Sequence, residues 1–381
     1  MSSLETKAVK ILITGSDGFV GKNLQLHLAQ REDVDVVCFN RGNRIAELPD
    51  LLQGVDFVFH LAGVNRPQDL QEFATANVDL TRALCQAICA VAEASGKKIP
   101  IVYTSSIQAG NDTPYGQSKL AAEKELQAAS RNFGIPVYLY RLPNVFGKWC
   151  KPNYNSVVAT FCHNIARNLP IQINDPAARL QLVYVDDVVA ALLAVLEAPA
   201  FGCVDAKVTP EYKTTLGELA KQISGFGECR TTLVIDRVGA GFLRALYATY
   251  VSYLPVARFS YEVPQHADPR GVFVEMLKTQ DSGQFSYFTA HPGITRGAHY
   301  HHTKTEKFLI VRGEALFRFR NILTDELVEL RTSGAKPQVV DTIPGWAHDI
   351  TNVGDDEMVV MLWSSENFDR DKPDTVVSKV Q

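Results

Sequence analysis

The sequence predicts an α/β region, built as a doubly wound parallel sheet, followed by an all-β region with the pattern of a sandwich or barrel. From Val9 to Leu139, apolar runs typical of buried strands alternate with helical patterns. From Val272 onward, short alternating strands are separated by turn residues, and helical periodicity is absent. We therefore expect one domain over residues 1–255 and a second over residues 256–381.

The composition is that of an ordinary globular enzyme. Of 381 residues, 46% are hydrophobic and 21% are charged, and the length allows two or three domains. The net charge of −4 favours neither nucleic acid nor an anionic membrane surface. No apolar run reaches about 18 residues, the minimum for a membrane span, and the start of the chain is too polar for a signal peptide. Seven cysteines without a C-x-x-C motif suit a reducing compartment, so we expect a cytoplasmic protein.

A glycine-rich turn follows the first predicted strand, Val9–Ile13. Gly15, Gly18 and Gly21 have G-x-x-G-x-x-G spacing and open a helix with apolar residues at Phe19, Val20, Leu24, Leu26 and Leu28. A strand, a glycine turn and a helix in this order form a cradle for a pyrophosphate. The helix N-terminus supplies free N–H groups and the positive end of the helix dipole. These residues predict a dinucleotide site.

The end of the second predicted strand, Val34–Phe39, indicates which dinucleotide is bound. The strand is followed by Asn40 and Arg41. An acid at this place takes the ribose 2′-hydroxyl of NAD, whereas an arginine accommodates the 2′-phosphate of NADP. We therefore predict NADPH, with a solvated loop arginine as the alternative. A third strand ends in Ala62 and Gly63, whose small side chains would let the cofactor lie close to the backbone.

A strand-end serine pair and a Tyr-x-x-x-Lys motif predict redox chemistry. Tyr115 follows Ser106 by nine residues, and Lys119 lies one helical turn further, on the same face. A nearby ammonium favours the phenolate and would lower the pKa of Tyr115. Such a tyrosine can exchange a proton with a substrate oxygen while hydride moves. Ser106 would donate a hydrogen bond to that oxygen, with Ser105 as the alternative serine and a surface Tyr–Lys pair as the alternative to catalysis.

These motifs together resemble those of the extended short-chain dehydrogenase/reductases that act on nucleotide sugars. The likeness covers roughly the first 250 residues and includes Asn77 and the runs His60–Gly63, Arg141–Gly147 and Tyr184–Val188. It implies a Rossmann-like fold with Ser106, Tyr115 and Lys119 as the catalytic residues. It also implies an NAD(P) site contacted by Gly15, Gly18, Phe19, Val20, Gly21, Asn40, Arg41, Leu61, Ala62 and Lys119.

The same resemblance implies a UDP- or TDP-sugar site between Asn144 and about Arg179, and we expect those two residues to contact substrate. The run Lys148–Phe161 carries basic and amide groups that suit a diphosphate, although an ordinary connecting loop is an equal alternative. The chain departs from the family in its short interval between Ser106 and Tyr115, which trims the loop over the substrate.

An aromatic stretch separates the two regions. From about Ala245 to Tyr261 the pattern is irregular, with tyrosines at 247, 250 and 253. We expect an irregular join here, ahead of the strands that begin after Gly271.

Four polar residues of the second region have the spacing of a metal site. The motifs are Gly293-x5-His299-x-His301-x4-Glu306-x6-Gly313 and Pro344-Gly345-x2-His348-x3-Asn352. His299 and His301 alternate on one strand and so share a face. Glu306 is expected from the paired strand and His348 from a later one. Three imidazoles and a carboxylate suit a divalent metal: zinc first, with manganese, nickel or iron as alternatives.

Both motifs match those of the cupins, an all-β fold of the double-stranded β-helix or jelly-roll type; satisfied polar residues in a sheet are the alternative. The runs Asp268–Glu275 and Arg296–His299 also resemble the dTDP-4-keto-6-deoxy-sugar 3,5-epimerases, a metal-free branch of this fold. There His299 would be the base and Lys307 would polarise the ketone. We favour the metal because all four ligand positions are filled, which leaves His302, Lys307 or Tyr300 as candidate bases.

The pairing of these regions resembles the bifunctional capsular-polysaccharide enzymes of the CapF type, on the runs His60–Pro67, Phe146–Val157 and His299–Phe308. The resemblance implies a UDP-4-keto-6-deoxy-HexNAc substrate. The cupin would epimerise carbon 3, and the reductase would reduce carbon 4 with NADPH, toward UDP-N-acetyl-L-fucosamine for capsule or O-antigen. A single-function ketoreductase with a structural or regulatory cupin, and a sugar-binding regulator with an inactive reductase, are the alternatives. We expect a homodimer, joined through the cupin domain.

Overall fold

The structure is a computed structural model that describes residues 8–197, 201–259, 261–302, 304–322, 324–371 and 373–381. The described residues form two compact units. The first contains residues up to 223 together with 245–254, and the second contains 224–244 and 255–381. No helix in these ranges has both the length and the apolar composition needed to cross a membrane.

The first unit is built on a six-stranded parallel sheet with the order β2-β1-β3-β4-β5-β8. Its strands are β1 (Val9–Thr14), β2 (Val34–Phe39), β3 (Phe57–His60), β4 (Ile101–Ser106), β5 (Val137–Leu142) and β8 (Cys203–Ala206). A three-stranded sheet of β6 (Asn144–Phe146), β7 (Arg179–Tyr184) and β9 (Tyr212–Thr215) accompanies it. The predicted doubly wound parallel sheet is therefore confirmed.

Helices connect these strands, and separate apolar clusters fill the interior of the unit. The helices are α1 (Phe19–Leu28), α2 (Leu48–Leu51), α3 (Gln71–Phe73), α4 (Leu80–Ser95), α5 (Pro114–Phe133), α6 (Val157–Ile165), α7 (Val185–Glu197), α8 (Leu216–Thr232) and α9 (Gly241–Ser252). Side chains alternate across a strand, so Leu12 enters one cluster while Ile11 and Ile13 enter the other. Burial on both faces explains why β1 is apolar throughout.

The helical run before α4 begins at Gln71 and contains a π-helical turn, Ala74–Asp79, which includes Asn77. One sequence expectation about helices needs correction. The supposedly irregular join contains α9, which buries Ala245, Leu246, Thr249 and Tyr250. Ala245 and Leu246 are followed one helical turn later by Thr249 and Tyr250, so the aromatic stretch has a helical periodicity that its composition concealed.

The second unit contains two sheets whose strand pairs are antiparallel, apart from the short parallel pair β10–β12. The larger sheet has β10 (Val234–Ile235), β11 (Gln265–Asp268), β12 (Gly271–Thr279), β13 (Gln284–Ala290), β15 (Glu306–Arg312), β18 (Val339–Asp341) and β20 (Met358–Ser364). The smaller has β14 (Thr295–Tyr300), β16 (Glu314–Asn321), β17 (Leu327–Ser333), β19 (Trp346–Asn352) and β21 (Val376–Val377). The two sheets share a core that includes Phe288, Phe308, Phe317 and Ile350, consistent with the predicted cupin fold.

Candidate active site and candidate metal centre

A cavity of about 520 Å³ opens at the carboxyl edge of the parallel sheet in the first unit. Ligands in such folds bind at this edge, where the strand order reverses; here β2 and β3 lie on opposite sides of β1. The cavity brings together the predicted residues Gly15, Gly18, Phe19, Val20, Gly21, Arg41, Leu61, Ser106, Tyr115, Lys119 and Asn144. An adjoining cavity of about 570 Å³ contains Asn40 and Ala62 as well.

The glycine turn has the geometry that its spacing predicts. Gly15 has φ +73°, in the left-handed region, and a Cβ there would lie 2.7 Å from the backbone of Ala62. A Cβ on Gly21 would lie 2.3 Å from the carbonyl oxygen of Gly15. Gly18 caps α1 without a side-chain hydrogen bond, and the first turn of that helix has no acidic residue. The free N–H groups and the helix dipole therefore suit a phosphate, and the site fits a dinucleotide.

Asn40 and Arg41 lie beside the glycine turn with different roles. The side-chain oxygen of Asn40 accepts hydrogen bonds from Ser16 Oγ at 2.6 Å and from the Asp17 backbone N–H at 3.2 Å. Asn40 thus holds the turn in shape. Arg41 is exposed, lines both cavities and has no hydrogen bond or ion pair within the described ranges. Its guanidinium is available to a ligand, as the NADPH prediction requires.

The structure separates the two candidate serines. Ser105 Oγ donates a hydrogen bond of 2.5 Å to the buried carboxylate of Glu123. Ser106, the next residue on β4, points to the opposite side and is hydrogen-bonded to Tyr115. Since neighbouring side chains of a strand alternate, only one of the pair can face Tyr115, and the geometry selects Ser106.

Tyr115 and Lys119 lie on one face of α5, but their electrostatics differ from the sequence prediction. Burial raises the pKa of Tyr115, and the hydrogen bond with Ser106 offsets only part of this effect. The prediction that the pKa of Tyr115 is lowered is therefore wrong. Lys119 Nζ donates to the carbonyl oxygen of Thr104 at 3.0 Å, and burial lowers its pKa to about 8, against an opposing effect of Glu123.

Glu123 is a buried carboxylate that the sequence analysis did not single out. It follows Lys119 by one helical turn and accepts, besides Ser105, two hydrogen bonds from Arg141 at 3.0 and 2.6 Å. Tyr115, Lys119 and Glu123 thus repeat every four residues on α5. Extending the Tyr-x-x-x-Lys spacing by one turn would have pointed to it.

Of the two predicted substrate residues, Asn144 lines the cavities of the first unit and Arg179 does not. Asn144 lines the first cavity and a neighbouring one of about 460 Å³ that also contains Asn153, Asn155 and Arg66. Arg179 is exposed at the start of β7 and lines neither of these cavities. Lys148 is held by Asp186 at 2.5 Å, which leaves Lys151 as the cation of that run in the first cavity.

The trimmed loop between Ser106 and Tyr115 folds back onto the start of α5. Gly110 N–H donates to the carbonyl oxygen of Gly116 at 3.1 Å. A Cβ on Gly116 would lie 2.4 Å from the carbonyl oxygen of Gln108, so this close approach requires glycine.

The four predicted metal ligands converge in the second unit. One ligand atom from each of His299, His301, Glu306 and His348 lies within 4.8 Å of the others. Glu306 Oε2 is 3.1 Å from His301 Nε2 and 3.5 Å from His348 Nε2. His348 Nε2 is buried without a hydrogen-bond partner among the described residues, so the 3.5 Å approach is only an electrostatic contact. Three imidazoles, one carboxylate and this orphaned nitrogen fit a divalent metal such as zinc.

One part of the expected ligand geometry is wrong. Glu306 does not come from a strand paired with the one that carries His299, because β14 and β15 belong to different sheets. The segment after β14 crosses from one sheet to the other, so Glu306 approaches from the facing sheet. His348 instead pairs directly with His299 across β14 and β19.

The cluster has the protonation pattern that metal binding needs. Burial lowers the pKa of His299 to about 4, and the neighbouring His348 and His301 add to the effect. Burial opposes ionisation of Glu306, but the contacts with His301 and His348 and the charge of Lys304 together outweigh it and keep the pKa of Glu306 well below its usual range. A neutral imidazole and an ionised carboxylate are the ligating forms.

The candidate bases around this cluster are placed less favourably. Lys307 lies on the face of β15 opposite to Glu306, half exposed, and pairs with Asp341 at 2.5 Å. It therefore does not face His299, as the metal-free interpretation requires. His302 is exposed, and its ring lies 5.3 Å from that of Tyr300. The cation beside the cluster is Lys304, which is buried with Nζ 3.7 Å from Glu306 Oε1.

Comparison with known proteins gives the class to which this fold and these sites belong. Residues 11–205 match the NAD dependent epimerase/dehydratase family, and residues 266–376 match the polysaccharide biosynthesis C-terminal domain. The chain belongs to the NAD dependent epimerase/dehydratase family, in a form that continues into this C-terminal domain.

Individual relatives narrow this class. The chain is 56% identical to a UDP-2-acetamido-2,6-beta-L-arabino-hexul-4-ose reductase of Pseudomonas aeruginosa, over 98% of this chain and 99% of that one. It is similar to the crystal structure of the capsular polysaccharide assembling protein CapF from Staphylococcus aureus. That match has a TM-score of 0.87 and 44% identity, over 97% of this chain and 100% of the other. The resemblance to the CapF type is thereby confirmed.

A more distant match concerns the fold alone. The UDP-glucose 4-epimerase of Thermotoga maritima has a TM-score of 0.52 and 21% identity, over 57% of this chain and 82% of its own.

Proposed function

We propose that this chain is a bifunctional enzyme of UDP-sugar metabolism in capsule or O-antigen synthesis. The cupin domain, residues 256–381, epimerises carbon 3 of a UDP-4-keto-6-deoxy-HexNAc. The reductase domain, residues 1–255, then reduces the 4-ketone with NADPH, toward UDP-N-acetyl-L-fucosamine. The observation that carries the proposal is the presence, in one chain, of the Ser106–Tyr115–Lys119 group and the four-residue His/Glu cluster.

The reductase half rests on groups that can complete a hydride transfer. When bound, NADPH supplies the hydride that reduces carbon 4. Tyr115 Oη then gives its proton to the carbonyl oxygen, so that the ketone becomes an alcohol. Ser106 holds the same oxygen by a hydrogen bond, and Lys119 provides positive charge in a buried site. The raised pKa of Tyr115 keeps the phenol protonated before the transfer.

The epimerase half rests on the acidity of the substrate. A ketone at carbon 4 acidifies the proton on carbon 3. A base takes that proton and leaves an enolate, and return of a proton to the opposite face of carbon 3 completes the epimerisation. A divalent metal, when bound by His299, His301, Glu306 and His348, supplies the positive charge that stabilises an enolate oxygen. Reduction of carbon 4 ends this acidity, so epimerisation must come first. Both sites on one chain raise the local concentration of the intermediate.

A second candidate is a single-function 4-ketoreductase with a structural or regulatory cupin. The name of the P. aeruginosa relative favours it, because that name describes a reductase only. The two candidates differ in one respect: only the bifunctional enzyme exchanges the proton on carbon 3.

Incubation with 4-keto UDP-sugars in D₂O separates the candidates. We expect deuterium at carbon 3 without NADPH, and a 4-hydroxy product with deuterium at carbon 3 once NADPH is added. Reduction without any deuterium uptake would support the single-function ketoreductase. A protein that neither exchanges nor reduces would contradict both.

We also propose a homodimer joined through the cupin domain. A groove of about 310 Å³ in this unit contains Val328, Leu330, Val339 and Ile343, which are exposed on or beside the edge strands β17 and β18. Sedimentation equilibrium gives the mass that checks this assembly.

A further inference from the structure

The end of the chain lies against the strand that carries the metal ligands. In β21, Val377 pairs with His299 and Val376 with Tyr300. Ser378 N–H extends the ladder by donating to the carbonyl oxygen of Ala298 at 2.9 Å. The family match in this region ends at residue 376, so part of this ladder lies beyond it.

The backbone of Asp374 orients one ligand. Its carbonyl oxygen lies 2.5 Å from His301 Nδ1, and a carbonyl oxygen can only accept a hydrogen bond. Nδ1 therefore carries the proton, and Nε2 is left to point at Glu306 Oε2, 3.1 Å away. A metal-binding histidine needs this arrangement, in which the second nitrogen is held by an acceptor.

The side chain of Asp374 holds the segment between two ligands. Its two carboxylate oxygens accept the backbone N–H groups of His302 and Lys304, each at 2.8 Å. This segment connects His301 to Glu306 and crosses between the sheets. Asp374 thereby sets the direction in which the chain leaves His301.

Lys304 connects the same segment to the second ligand. Its Nζ lies 3.4 Å from Thr375 Oγ1 and 3.7 Å from Glu306 Oε1. Because Lys304 faces Oε1, the other carboxylate oxygen, Oε2, is the one that faces His301 and His348. Glu306 would therefore offer Oε2 to a metal, while Oε1 faces Lys304.

We propose that Asp374 and Thr375 form a C-terminal clasp, positioning residues that orient His301 and, through Lys304, Glu306 for metal binding. This inference rests on the metal centre of the proposed function. The four candidate ligands all lie before residue 349. The clasp lies after residue 370 and would help to orient them. The clasp does not touch the metal, so its loss lowers affinity without removing a ligand.

Metal affinity of the full chain tests the clasp. Asp374→Ala removes the carboxylate but keeps the backbone carbonyl, and we expect Zn²⁺ or Co²⁺ to bind about 10–100-fold more weakly in a chelator competition. The visible spectrum of bound Co²⁺ should change, because the ligand geometry is altered. Asp374→Asn keeps one acceptor oxygen and should recover part of the affinity. Asp371→Ala, a change of an exposed aspartate in the same tail, should bind metal like the wild type.

The possible results are separable. A wild-type chain that takes up no metal would overturn the metal centre itself, and the clasp with it. A wild type that binds metal, with Asp374→Ala binding as tightly and giving the same Co²⁺ spectrum, would overturn the clasp alone. The clasp would also be overturned if Asp374→Ala lowered the melting temperature of the metal-free protein but left its metal affinity unchanged. That result would indicate a merely structural role.

If Asp374→Ala does not fold, Thr375→Val provides the test, since it removes only the hydroxyl near Lys304 and should still weaken metal binding at least about threefold. The wild type offers an independent check. ¹⁵N NMR of the Zn²⁺-bound protein should show His301 ligating through Nε2 with Nδ1 protonated. Ligation through Nδ1 would contradict the role of the Asp374 carbonyl.

Discussion

At the residue scale, the proposed role of Tyr115 is to supply a proton rather than a binding contact. Its pKa is raised by burial, and it is hydrogen-bonded to Ser106. Tyr115→Phe should lower the rate of 4-ketone reduction by at least about a hundredfold, the range expected when a general acid is removed. NADPH affinity, measured by fluorescence titration, should stay close to that of the wild type. A variant that reduces within tenfold of the wild type would contradict the role of Tyr115.

Arg41 is the second single residue to which we assign a functional role, the recognition of NADPH. It lines both cavities beside the glycine turn, so Arg41→Ala should weaken NADPH far more than NADH, by about tenfold or more, because the 2′-phosphate loses a charge-assisted partner. Dissociation constants for both cofactors at one salt concentration provide the measurement. Arg44→Ala is the matched control, since Arg44 is 84% exposed and pairs with Glu47. Equal weakening of both cofactors would show that Arg41 does not recognise the phosphate.

At the scale of elements, helix α5 and strand β4 are joined by a buried carboxylate. Glu123 accepts hydrogen bonds from Ser105 and Arg141 and is fully buried. Glu123→Gln should lower the free energy of unfolding by about 1–3 kcal/mol, because it leaves buried partners imperfectly satisfied. It should also slow reduction, since the end of β4 that presents Ser106 loses an anchor.

Urea unfolding and the rate of reduction check this prediction. The control is Glu125→Gln on the same helix, which breaks a surface pair with Arg82 and should cost less than about 1 kcal/mol. If the two variants lose the same stability, Glu123 does not anchor β4.

On the scale of the whole molecule, one substitution should separate the two activities. His348→Ala removes one of the four proposed metal ligands and leaves the site of the first unit untouched. Bound metal should be lost, and deuterium uptake at carbon 3 should fall by at least about a hundredfold. Reduction of an already epimerised substrate should persist. Circular dichroism and a melting curve must accompany the assay, because loss of a structural metal can unfold such a domain. Exchange at the wild-type rate in a folded, metal-free variant would reject metal catalysis.

Acid should destabilise the first unit through His60. Burial lowers the pKa of His60 to about 3, and both ring nitrogens contact threonine hydroxyls, at 2.6 and 2.8 Å. Between that pKa and the ordinary value of 6.5 the unfolded chain binds one more proton than the folded chain, so stability falls as pH falls through 6.5.

The stability difference between wild type and His60→Asn should therefore shrink by about 2 kcal/mol from pH 7 to pH 5. Hydrogen exchange of the amides in β1 and β3, measured at each pH, gives the free energy of unfolding of the wild type and of the variant. A difference that does not change with pH would show that His60 has the same pKa in the folded and the unfolded protein.

Local sequence patterns were enough to predict most of the secondary-structure elements and most of the residues that come together in the two candidate sites. Strand alternation, the glycine spacing and the Tyr-x-x-x-Lys and His-x-His patterns are local, and periods of 3.6 and 2 residues translate them directly into shared faces. The parallel sheet, the antiparallel sheets and the four-residue cluster were predicted in this way. An aromatic composition concealed the helical period of α9, so that element was misjudged.

Features that depend on residues far apart in the sequence become visible only in the folded chain. Sequence spacing does not show that Ser105 meets Glu123, that Glu306 reaches the cluster from the facing sheet, or that burial raises the pKa of Tyr115. It also gives no sign that the carbonyl oxygen of Asp374, more than seventy residues away, accepts a hydrogen bond from His301. Desolvation and hydrogen bonds between strands depend on which segments pack together, and that is a property of the folded chain rather than of any local pattern.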